Sequence, residues 1–126
     1  MWASRILFAN AVWDLLTGLC TLVYVGTGRL KPIADLHTDL WICEEDRNNS
    51  AAIVLMGCLI LQWSWMRLIT AIDPVNHWQD AVYTYWLEGM LVGVATFAGR
   101  MHARAGCIVV LLCAVCAVIV VSEIPK

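Results

Sequence analysis

Charge is scarce in this chain: Asp, Glu, Lys and Arg make up 14% of its 126 residues, and Lys plus Arg number only 8. Those eight are scattered, so the clustered basic residues that neutralise phosphates are missing and a nucleic-acid module is excluded. The chain also lacks a Gly-rich phosphate loop, any arrangement resembling a Ser-His-Asp triad or nucleophile elbow, internal repeats and low-complexity segments. Cysteine is nearly absent from the connections. Cys20, Cys58, Cys107, Cys113 and Cys116 fall in apolar runs and only Cys43 does not, so no extracellular disulfide framework is indicated. His77 and His102 stand alone, and on a helix through "DLHTDL" His37 points away from Asp35 and Asp39. Neither a metal site nor any other cofactor is expected, and "DLHTDL" reads as a solvated charged face.

What is present is apolar: 61% of residues are hydrophobic and seven are tryptophan, which is membrane composition. Four runs, 6–25, 51–71, 81–98 and 105–121, are long enough to cross a hydrocarbon core of roughly 30 Å as helices. The expected fold is all-α: one transmembrane domain over residues 1–126, an integral membrane four-helix bundle with antiparallel neighbours. Asn10, Asp14 and Thr17 interrupt the first run and no A-x-A-like site follows it, so it reads as a retained helix and not as a secretory signal.

The longest connection, Gly26 to Ser50, opens on "GTGRLKP" and ends in "EEDRNN". Between these, Ile33, Leu36, Leu40 and Trp41 recur at helical spacing and predict an interfacial amphipathic helix over about 33–41, with a solvated loop as the other reading. "IDPVNHWQD" reads as a tight turn around Asp73 and Pro74, and "GRMHAR" as a short basic loop. Arg29, Lys31, Arg47, Arg100 and Arg104 lie in the first and third connections, against Arg5 and Lys126 at the other end. That bias puts those connections in the cytosol or matrix and both termini across the membrane, with the endoplasmic reticulum or mitochondrial inner membrane as candidate locations.

Charged groups at membrane depth cost at least ~2.5 kcal/mol each on insertion scales, so they face other helices or a cavity. Asp14, Arg67 and Glu88 are such groups. Counting a rise of 1.5 Å per residue puts Asp14 about 12 Å, Glu88 about 10 Å and Arg67 about 6 Å from the same end of the bundle. Asn10, Asp14, Thr17 and Thr21 form one polar stripe, and Tyr85, Glu88, Gly89 and Thr96 another. Gln62 lies about 140° around the helix from Arg67, and Arg67 is expected inside. Two acids against one guanidinium leave a negative charge over, so one acid holds a proton or the two share one. The expectation is an Asp14–Arg67 ion pair with Glu88 neutral and hydrogen-bonded to Tyr85.

Trp13, Trp63 and Trp86 sit deeper than an interfacial belt needs, beside this layer. They are candidates to wall a cavity for a flat apolar ligand such as a sterol or quinone, the bland alternative being lipid-facing packing. Gly89 and Gly93 allow close helix approach, from a partner or from within the bundle. "CAVC", Cys113 to Cys116, has the C-x-x-C spacing of dithiol centres and resembles the vitamin K epoxide reductases. Those proteins also need paired loop cysteines, and Cys43 is alone, so two small apolar cysteines on a helix face is the other reading.

"MRLITAIDPVNHW" resembles the ergosterol-biosynthesis scaffold family of small four-helix membrane proteins, through Arg67, Ala71, Ile72, Asp73 and Asn76, with Asn49, Gly57 and Ser64 upstream. The histidine and glutamate which that family carries in its third helix fall at Gly93 and Phe97. The resemblance implies a non-catalytic tether for membrane-bound sterol enzymes. The leading reading is therefore a scaffold or accessory subunit whose partners are other membrane proteins. The alternative is a small membrane enzyme, isomerase- or reductase-like, or a lipid-, sterol- or quinone-binding protein, with Glu88 or Asp14 as the acid.

Overall fold

The computed structural model describes residues 1–123, and Lys126, counted in the charge bias, lies outside the described residues. Its elements are six helices: α1 (Trp2–Thr27), α2 (Lys31–Thr38), α3 (Glu44–Arg47), α4 (Ser50–Ile72), α5 (Pro74–Phe97) and α6 (Ala103–Glu123). Among the described residues there is no strand. Of the four long helices, α1, α4 and α6 are long and apolar enough to cross a membrane. With Asn76, His77, Gln79 and Asp80 in its opening turns, α5 is more polar.

Each long helix is longer than its expected span, and several of the ends have identifiable caps. Gly28, at φ 72°, closes α1 by donating its N–H to the Tyr24 carbonyl, a left-handed position that glycine takes without strain. The Asn49 side chain accepts from Ala52 N–H and starts α4. The tight turn shrinks to Asp73 alone, because Pro74 at the first helical position needs no N–H partner and α5 begins there. This corrects the depth count. Glu88 lies 14 positions into α5, about 21 Å along it, and not about 10 Å.

The four long helices pack in sequence around a ring. α1 lies against α4, where Gly18 admits Leu61 and Gly57 admits Leu22. Ser64 adds a hydrogen bond of 2.7 Å to the Ala11 carbonyl. α4 meets α5, α5 meets α6, and α6 returns to the start of α1. There the Glu123 carboxylate accepts the Ala3 N–H at 2.6 Å, serving a donor that a helix start leaves free. Ala3, Leu7, Ala81, Tyr85, Cys113 and Val120 form the apolar core at this end.

At the opposite end the first and third connections meet. Ile42 N–H donates to the Arg100 carbonyl and His102 N–H to that of Leu40, both at 2.9 Å, while Arg100 grips Asp46 through two side-chain hydrogen bonds. The acidic run forms the short α3 within the first connection. α2 covers 31–38, not 33–41, and is no free loop, since Ala34 and Thr38 are buried. Leu30 enters it at φ 64°, a strained value for a branched residue, held by the packing of α2 that follows.

The α5–α6 crossing is the tightest contact. A methyl on Gly106 would overlap the Thr96 hydroxyl and approach Thr96 Cβ to 2.9 Å and Cγ2 to 3.0 Å. Gly106→Ala is therefore expected to destabilise the detergent-solubilised protein by about 1–3 kcal/mol. Adding Thr96→Ala should recover part of the loss, and equal stability of Gly106→Ala and wild type in equilibrium unfolding would refute the close approach.

Candidate functional site

Arg67 organises the interior. It is 2% exposed, midway between helices that offer little polar surface, and each nitrogen of its side chain finds an acceptor. Nε–H donates to Thr84 Oγ1 at 3.1 Å, Nη1–H to Asp14 Oδ2 at 2.6 Å, and Nη2–H to Glu88 Oε2. The Thr84 hydroxyl donates its own hydrogen bond to the Ala81 carbonyl at 2.7 Å, which aims its lone pairs at the guanidinium. Thr84 and Glu88 are one turn apart on α5, so the arginine side chain runs along that helix and the Glu88 side chain reaches back to meet it. Its flat face lies 4.1 Å from the Tyr85 ring centroid and 6.0 Å from that of Trp63.

Two expectations need correction here. Glu88 is bonded to Arg67 and not to Tyr85; the Tyr85 hydroxyl instead accepts from Asn10 Nδ2 at 2.6 Å. The reason is reach, because Arg67 presents two forked nitrogens and serves both acids at once. Trp86 stands 58% exposed outside the site, one residue and hence about 100° around α5 from Tyr85. Trp13 and Trp63, by contrast, do line the space next to Arg67.

That space is a cavity of about 450 Å³. Asn10, Asp14, Arg67, Tyr85 and Glu88 form its polar floor, and Leu59, Ile60, Trp63, Leu91, Val92 and Leu112 are among its apolar walls. α1 touches α6 through Ala3 and Asn10, the latter 3.8 Å from Cys116 Sγ, whereas further along, Trp13 and Leu112 both line the cavity and are 52% and 58% exposed. The cavity thus opens sideways between α1 and α6. Cys113 and Cys116 line it as free thiols, and Gly89 and Gly93 are used within the chain, against Cys113 and Val110 of α6.

α2 covers the other end with Leu36 and His37, joined by Leu40 and Met101. His37 does not lie on a solvated face as its acidic neighbours suggest: its Nε2 is buried without a hydrogen-bond partner among the described residues. A signal was available: His37 follows Ile33 by four and precedes Leu40 by three, which puts it on the apolar side of the same helix. Burial pushes its pKa below the usual histidine value, against a smaller opposing pull from Glu88, so the ring is neutral at pH 7. Lys31 meanwhile pairs with Asp35 on the outer face of α2 at 2.8 Å.

The chain matches no family model, no curated protein and no solved structure.

Removing the guanidinium leaves two acids in a site that no other Lys or Arg among the described residues lines. Arg67→Met is expected to cost roughly 3–5 kcal/mol of stability. The triple variant Arg67→Met, Asp14→Asn, Glu88→Gln should regain most of it. Equilibrium unfolding in mild detergent checks this, and a triple variant no more stable than the single one would contradict the charge account.

Proposed function

We propose that α1, α4, α5 and α6 cross a bilayer as one antiparallel four-helix bundle, and that its cavity binds a small amphipathic molecule that partitions into lipid, of sterol or quinone size. The observation that carries this reading is the combination of apolar walls, a few convergent polar groups at one end and a gap between α1 and α6. Ligand sites have that make-up, and about 450 Å³ falls within their usual size. A gap flanked by half-exposed Trp13 and Leu112 suits entry from the hydrocarbon, where such a molecule already resides. Loops one and three, with α2, then face the cytosol or matrix under the Lys and Arg bias.

The scaffold reading draws on the resemblance around Arg67 to Asn76. Those residues have work inside this chain: Asn49 caps α4, Gly57 admits Leu22, Ser64 bonds Ala11, Arg67 holds two acids, and Asn76 bonds Asp73 at 2.8 Å. Binding of a small molecule uses the cavity that they help to shape, and we favour it for that reason. Glu88 and Asp14 at the floor also leave room for proton donation to a bound substrate.

Photolabelling tests the reading. With a diazirine-bearing sterol and a diazirine-bearing quinone in nanodiscs, saturable labelling is expected at Leu59, Trp63 and Leu112, and Leu112→Trp should suppress it. Labelling that is unsaturable, spread over outward residues such as Val118 and Phe97, and unchanged by Leu112→Trp would contradict it.

A further inference from the structure

At the cavity floor two acids stand against one guanidinium. Arg67 spends each nitrogen once, on Thr84, Asp14 and Glu88. Asp14 Oδ1 takes no hydrogen bond among the described residues, only the weak thiol donor of Cys113 stands against Glu88 beside Arg67, and the two acid side chains are 11% and 22% exposed. Two acids share one guanidinium there, and no other Lys or Arg among the described residues lines the cavity. Lys31 is engaged with Asp35 and Arg100 with Asp46 at the connection end, and Arg5 is stacked on Trp2 near the other. His37, the remaining basic side chain on the cavity wall, is held neutral by burial. Trp13 adds an aromatic wall that no cation of the chain occupies, whereas Trp63 and Tyr85 already face Arg67.

We propose that the ligand of this cavity is a cationic amphiphile, a lipophilic amine whose ammonium N–H donates to Asp14 Oδ1 and Glu88 Oε1 while its apolar body lies between Trp13, Trp63 and Leu112. The inference rests on reading the cavity as a ligand site, and it names the chemistry of the ligand's polar end. An ammonium supplies both missing elements, a positive charge and donors without acceptors. In surroundings of low dielectric that pairing is worth more than in water. A carboxylate at the same place meets two acids and is rejected. An alcohol can donate to one oxygen but leaves the charge uncancelled; it does as well as an amine only if Asp14 and Glu88 already share a proton.

The test is competition against the diazirine sterol with three molecules on one polycyclic skeleton: a primary amine, the matching alcohol and the matching carboxylate. The amine is expected to displace the probe at about tenfold lower concentration than the alcohol, with the carboxylate weakest. In Glu88→Gln, and separately in Asp14→Asn, the ratio of alcohol to amine concentrations should fall towards one. Equal potency of amine and alcohol in the wild type, or a preference for the carboxylate, overturns the proposal while leaving the cavity a ligand site. Absence of saturable cavity labelling by any probe, with none of the three competitors protecting the cavity residues, overturns both readings together.

Discussion

A guanidinium that cannot lose its proton, buried among apolar helices, dictates what surrounds it. Arg67 must have an acceptor for every nitrogen, and no single neighbouring helix supplies them all. Asp14 comes from α1, Thr84 and Glu88 from α5, so satisfying one side chain of α4 brings three helices into register. The glycines then settle the spacing. Gly18 and Gly57 let α1 and α4 approach closely, which keeps Asp14 within reach, and Gly106 draws α6 against α5. Stacking of Arg67 on Tyr85 fixes the ring whose hydroxyl receives Asn10.

The cavity is a consequence of the same arrangement. α1 leans on α4 along much of its length and reaches α6 near its own start, where Ala3 finds Glu123 and Asn10 comes close to Cys116. Beyond that the ring is open on one side, between Trp13 and Leu112. α2 folds across the far end, and the backbone pairing of residues 40–42 with 100–102 fastens the connection behind it. An ionic floor, apolar walls, a side opening and a helical cover are thus arranged around one residue of α4.

Much of this was legible because charge inside an apolar run is expensive. Asp14, Arg67 and Glu88 stood out for that reason, and period-four spacing added Asn10, Thr17 and Thr21 to the inward face of α1. The Asp14–Arg67 pair was legible, but Arg67 as the partner of Glu88 was not. Which carboxylate an arginine serves depends on side-chain reach and helix length, and the placing of the α5 start at Ala81 instead of Pro74 misjudged both. Trp86 was grouped with Trp13 and Trp63 by depth, a coordinate that says nothing about direction around the helix. His37 was hidden by its neighbours: Asp35 and Asp39 made the segment look solvated, although the ring shares the inner face with Leu40. The docking of the first connection on the third is a non-local backbone contact, and no periodicity announces it.

The account stands on Arg67 holding both acids at once. Solid-state NMR on the protein in lipid bilayers reads this directly, by dipolar coupling between the guanidinium nitrogens of 15N-labelled arginine and carboxyl carbons of 13C-labelled aspartate or glutamate, with Asp14→Asn and Glu88→Gln assigning the signals. Short-range coupling from Arg67 to both Asp14 and Glu88 is the predicted result. Coupling to only one of them, or to neither, would contradict it.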